Sequence, residues 1–76
     1  MNAPIETEKS VFDLPDEAIV GKRPAARFIG VRPATLDKWA CTGGGPTFVR
    51  IGRLRRYQMA DLRAYVRSRR VTPPAA

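Results

Sequence analysis

A mostly α-helical domain carrying one small β-hairpin is the fold class this sequence predicts, and three observations predict it. Apolar residues recur at helical spacing over three short segments, 22–29, 33 to about 41, and 58 to about 70. Gly30 breaks the first pattern and Pro33 restarts the second, so the two helices sit on either side of a tight turn. Between the second and third segments, residues 48–57 read as two short strands around Gly52. Two helices across a turn, a two-stranded wing and a closing helix describe a winged helix-turn-helix.

Size and composition narrow the function before any motif does. The 76 residues make one small domain, and a domain of that size buries only about 60% of its unfolded surface. That leaves no room for a catalytic cleft beside a core. One cysteine, Cys41, and no histidine exclude an intrachain disulfide and any zinc finger or zinc hydrolase site. No metal or cofactor is expected, and no catalytic residue is assigned. No apolar run approaches the roughly 20 residues that span a bilayer, and no signal peptide is visible. A cytoplasmic, nucleoid-associated protein with no membrane partner is the expectation.

Charge is segregated along the chain. Residues 1–21 carry five acids against Lys9, a net of −4, whereas residues 22–76 carry thirteen cations against Asp37 and Asp61, a net of +11. A segment that basic attracts polyanions at long range. Eleven of the thirteen are arginine, whose fork matches phosphate and guanine edges better than lysine does. Double-stranded DNA is the partner this predicts.

The elements follow in order. Residues 1–19 form an acidic, partly disordered arm, with Val11, Phe12, Leu14 and Ile19 scattered among acids and Pro15. Part of it packs on the domain, where Val20 closes the core beside the first helix. The remainder reads as a disordered tail or as a hook for the basic face of a neighbouring copy.

The domain itself spans residues 20–70. Its first helix tolerates Pro24 because the proline falls in the opening turn. Ala26 and Ile29 face the core, and Val31 plugs the turn after Gly30, which enters the left-handed region without steric penalty. Arg23 and Arg27, four apart, share one side and suit phosphate contact or plain solvation.

Leu36 and Trp39, three apart, turn the second helix inward. Its start then faces outward with Arg32, Pro33, Ala34, Thr35 and Lys38 as candidate DNA contacts. Arg32 is a poor cap where Ser or Asp would serve better, which suits a guanidinium placed for contact. Asp37 either accepts from cytosine N4 or pairs with a neighbouring arginine. Cys41 is expected to be small and partly buried. Residues 42–46, with three consecutive glycines, read as a flexible connection; no lysine and Ser/Thr follow, so this is not a phosphate loop.

In the wing, Val49 and Ile51 are expected inside and Arg50 outside, with Tyr57 in the core. Gly52 and Arg53 form the tip, flanked by Arg50, Arg55 and Arg56. An arginine tip suits a narrow A·T-rich minor groove. Leu62, Tyr65 and Val66 give the third helix its inward stripe. Asp61 in its first turn and Arg67, Arg69 and Arg70 in its last agree with the helix dipole. Residues 71–76 are expected to be a disordered tail.

Several of these positions together carry a family resemblance. Ala25-Ala26, Ile29-Gly30-Val31, Thr35-Leu36 with Trp39, Gly45-Pro46, Ile51-Gly52-Arg53, Tyr57, Asp61-Leu62 and Tyr65-Val66 make residues 20–70 similar to the excisionase-like and AlpA-like branch of the MerR-type winged helix-turn-helix proteins. The resemblance implies DNA contacts at the start of the second helix and on the wing. It also implies a non-enzymatic recombination directionality factor that binds adjacent sites cooperatively, bends DNA and promotes excision of a mobile element. Its implied partner is an integrase (a tyrosine or serine recombinase), and the acidic arm against the basic body suggests further copies of the chain, head-to-tail along the DNA. An AlpA-like transcriptional regulator of the same fold is the alternative. The chain departs from the family pattern at Arg32, where Ser is frequent, and at Arg55, where an apolar residue is common.

Overall fold

A computed structural model describes residues 10–74 of the chain. A short 3-10 turn, Val11–Asp13, leads to strand β1, Ile19–Val20. Helices α1 (Lys22–Ile29) and α2 (Pro33–Thr42) follow, then strands β2 (Val49–Ile51) and β3 (Leu54–Gln58), and helix α3 (Met59–Ser68). The order is that of a winged helix-turn-helix with one strand added.

Local chemistry explains the helix–turn–helix. Helix α1 ends where Gly30 takes φ 92°, and the N–H groups of Gly30 and Val31 both donate to the Ala26 carbonyl, at 2.7 and 3.0 Å. Pro33 then opens α2 at a position where a missing N–H costs nothing. Ala25 and Ala26 are fully buried, so α1 presents almost no side-chain bulk and Leu36 of α2 packs close against it. Tyr57, Met59, Leu62 and Val11 complete the core. Ile29, Val31 and Trp39 are half-buried at its rim.

The sheet has three antiparallel strands in the order β1-β3-β2, where the sequence suggested two. Ile19 lies opposite Gln58 and Val20 opposite Tyr57, so the added strand covers the edge of β3 away from the wing. Residues 10–20 thereby pack against β3 and the helices. Val11 is in the core, and Phe12 packs on Phe28 with ring centres 5.2 Å apart. The expectation for residues 1–9 lies outside the described residues. Residues 71–74 are exposed and without regular structure.

That N-terminal segment also caps the last helix. Gln58 makes no side-chain cap on α3; instead the Met59 and Ala60 N–H groups donate to the carbonyls of Ala18 and Asp16, at 2.8 and 3.0 Å. These are two of the orphan donors every helix start must satisfy. Arg63, one turn on, donates to the Asp16 carboxylate at 2.6 Å and to the carbonyls of Leu14 and Phe12.

Three inward assignments are corrected by this arrangement. Ile51 is 53% exposed and Val66 41% exposed, and Cys41 lies on the surface. In the wing, Arg50 is exposed and Tyr57 buried as expected and Val49 is half-buried, but Ile51 does not turn inward. Tyr57 is fully buried, and strict alternation puts Arg55 on its face; the pairing Arg50 opposite Arg55 puts Arg50 there too. Ile51, opposite Leu54, falls on the other face, near a tip that projects past the core. Val66 lies toward the exposed end of α3, which closes the core chiefly with Met59 and Leu62.

Candidate nucleic-acid interface

Helix α2 shows its opening turn and one side to solvent. Arg32 stands at the N-cap, exposed and with no side-chain cap bond, as its chemistry predicts. Ala34, Lys38 and Cys41 recur on an exposed side, while Pro33 and Thr35 are half-buried. Leu36 anchors the opposite side at 1% exposure. The exposed side of α2 thus carries small or cationic side chains and no bulky apolar one of its own.

The wing projects beside it. Gly52, at φ 62°, turns the hairpin so that Arg53 sits exposed at the tip. Between wing and helices runs an open groove of about 320 Å³, lined by Lys22, Asp37, Arg50, Arg53, Leu54, Arg55 and Arg56. Five of the seven lining side chains are cationic and one is anionic. The groove thus joins residues from α1, α2 and both wing strands into one basic surface. Arg23 and Arg27 are exposed on α1 and do not line it.

The four wing arginines divide into two kinds. Arg50 and Arg53 are exposed. Arg55, expected as a DNA contact, faces inward, its side chain only 18% exposed. It donates from Nε to the Tyr57 hydroxyl at 2.9 Å and from Nη2 to Asp37 Oδ1. Its guanidinium also lies 5.7 Å from the centre of the Phe48 ring, as does that of Arg50. Arg56, on the other face, is half-buried, with its Nη1 lying over Gly21.

Asp37 is held from two sides. Lys22 Nζ donates to Oδ2 at 2.9 Å, and Arg55 takes Oδ1. The Lys22 hydrogen bond, then that of Arg55, hold the carboxyl below its ordinary pKa. Burial works against the charge on Arg55, but its hydrogen bonds to Asp37 and Tyr57 outweigh this and raise its pKa. Of the two sequence readings of Asp37, the pairing one describes the molecule. Lys22 and Phe48 were missed: they lie 15 and 11 positions from Asp37, and such distances leave no trace in a helical or strand period.

The comparison of the chain with curated proteins finds no match. Among the described residues, no helix is long and apolar enough to cross a membrane. A family model described as a helix-turn-helix domain matches residues 25–70. That span takes in most of α1, the Gly30 turn, α2, the wing and α3, and every residue lining the basic groove except Lys22. With more than half its length matched, and with the buried alanines, glycine turn and outward second helix all in place, the chain belongs to the helix-turn-helix domain family.

Proposed function

We propose that the protein binds duplex DNA with the start of α2 in the major groove and the Arg53 tip in the adjacent minor groove, and that it serves as an architectural factor of the excisionase kind. One observation carries the DNA reading: Lys22 of α1, Asp37 of α2 and the wing from Arg50 to Arg56, with the Arg53 tip among them, line one open and mainly cationic groove. Arg32, Thr35 and Lys38 take the base edges and nearby phosphates, and Arg50, Arg53 and Arg56 the backbone and minor groove. Arg23 and Arg27 extend the phosphate contact along α1.

The excisionase role rests on the similarity of residues 20–70 to the excisionase-like and AlpA-like branch of the MerR-type proteins. In that role the protein does no chemistry; it bends DNA so that an integrase selects excision. Bending 20–30 base pairs costs about 1–6 kcal/mol. A single small module buries roughly 600–1,000 Å². One copy is therefore a weak bender, and head-to-tail neighbours supply the remainder. The same interface serves an AlpA-like regulator, which acts on a promoter instead of a junction.

A protection footprint on genomic duplex, followed by gene deletion, tests both levels. Loss of excised junctions with promoter output unchanged is the expected result. Altered promoter output with normal junctions replaces the excisionase role by regulation. No protection of any duplex at low ionic strength rejects the DNA reading itself. Sedimentation with one, two and three sites on the DNA checks the neighbour contacts, which strictly independent binding would rule out.

A further inference from the structure

Among the described residues, Asp37 is the one carboxylate lining the basic groove, and it joins the three elements around it. Lys22 opens α1, Asp37 lies in the second turn of α2, and Arg55 lies in β3. Asp37 takes a hydrogen bond from each of the other two, one on each oxygen. The two ends differ in stiffness. Arg55 is seated on the Phe48 ring and on the hydroxyl of the fully buried Tyr57, so that end is fixed to the core. Lys22, 40% exposed on a flexible stem, is the loose end.

We propose that Asp37 is a specificity-determining positioning residue for duplex DNA, holding the wing and α2 in one relative pose and keeping two cations away from indiscriminate phosphate contact. The inference rests on the reading of the groove as a DNA interface. A carboxylate in such a surface repels every duplex alike, whatever its sequence. The pose it fixes favours only a duplex whose base edges meet α2 while its minor groove meets Arg53. The two effects together lower bulk affinity and raise discrimination.

Asp37 does not read a base in this arrangement. To accept from cytosine N4 it would leave two charge-assisted hydrogen bonds for one from a neutral amine, an unfavourable exchange. Arg55 likewise does not reach the minor groove, because its guanidinium is already shared among Asp37, Tyr57 and Phe48. Its role in the wing is to transmit the position of α2 to the strand that carries the tip.

The experiment uses the full chain. A randomised 30-base-pair pool is enriched with the wild-type protein, and affinities for an enriched duplex and a scrambled duplex of equal composition are measured across a salt series. In Asp37→Asn the scrambled duplex is expected to bind more tightly, with a salt slope steeper by about one unit as Lys22 or Arg55 turns to phosphate. The ratio of enriched to scrambled affinity is expected to fall about tenfold, the worth of one well-placed contact. Arg55→Gln lowers the same ratio without the gain on scrambled DNA, since it removes a cation. The double variant is no worse than the worse single one, because both act through one bridge.

Thermal melts of each variant accompany the binding series, and the variants are compared only where both are folded. An unchanged ratio in folded Asp37→Asn overturns the proposal and leaves a bridge without influence on recognition. Loss of preference at one base pair alone overturns it in favour of base reading. Failure of the wild-type protein to enrich any duplex is a different result, which removes the DNA reading and this inference with it.

Discussion

Trp39 lies against Gly45 so closely that no side chain fits between them. A Cβ on Gly45 would stand 2.8 Å from both Cβ and Cε3 of Trp39, closer than real Cβ contacts allow. Tyr65 closes the arrangement from α3: its ring centre is 5.9 Å from that of the indole, and its hydroxyl donates to the Gly44 carbonyl at 3.0 Å. Gly45 is therefore a packed seat for the tryptophan, whereas a Cβ at Gly43 or Gly44 would meet nothing.

Gly45→Ala is expected to destabilise the domain by about 1–3 kcal/mol, because the neighbour is a ring and backbone-proximal carbon with little freedom to move. At Gly52, where a Cβ meets nothing within 4 Å, the same substitution costs only the left-handed backbone, about 1–2 kcal/mol. Thermal unfolding followed by circular dichroism checks both. Equal stability of Gly45→Ala and the wild type removes the indole seat.

Arg63→Ala is expected to lower stability by about 1–3 kcal/mol. The Asp16 ion pair is largely exposed and contributes little. The cost lies chiefly with the part-buried Leu14 carbonyl, which loses its donor, while the exposed Phe12 carbonyl turns to water. Denaturant titration of Arg63→Ala against Asp16→Asn separates the two, since only the first removes the carbonyl contacts.

A chain of residues 25–70 alone, the span the family model matches, is expected not to give a cooperative melt. It lacks Val11 in the core, β1, and the carbonyls of Asp16 and Ala18 that cap α3. Restoring residues 10–24 is expected to bring the transition back. A sharp transition for 25–70 on its own makes the N-terminal segment dispensable.

The Asp37 bridge has a definite acid dependence. Its folded pKa lies below the unfolded one, for which carboxylates of this type sit near 3.9. The bridge's contribution is thus complete well above pH 4 and is lost as pH falls through the folded value. The stability difference between wild type and Asp37→Asn is expected to be constant from about pH 5 to 7 and to shrink below pH 4. A difference that grows on acidification contradicts the sign.

On the DNA side, Arg53→Ala is expected to weaken binding by about 1–3 kcal/mol and to relax sequence preference in the adjacent minor groove. Lys38→Ala is expected to weaken all duplexes evenly and to flatten the salt slope by about one unit. Equilibrium binding over a salt series distinguishes them.

What the residues announced and what they hid divide along sequence distance. Gly30, Pro33 and the Leu36–Trp39 spacing give both helices and the turn, because those signals act within four positions of each other. The start of α2 and the Arg53 tip were legible for the same reason. The outward place of Ile51 was not: its apolar side chain suggested the inward side, yet Tyr57 decided it through strand pairing. Strand β1 escaped notice because two residues carry no alternation to read, and its partner is nearly 40 positions on. Asp37, whose partners are 15 and 18 positions away, gave only a pair of open readings.

The strap between residues 10–20 and α3 also bears on how the molecule is made. Its hydrogen bonds through Arg63 join residues 47 to 51 positions apart. During synthesis the segment leaves the ribosome long before its acceptors meet the helix that needs them. Local turns such as Gly30 can form at once, but Val11 and the Asp16 carbonyl wait for Met59–Ser68 to emerge. Long-range closure of this sort slows folding, and it makes release of α3 from the exit tunnel the event that completes the domain.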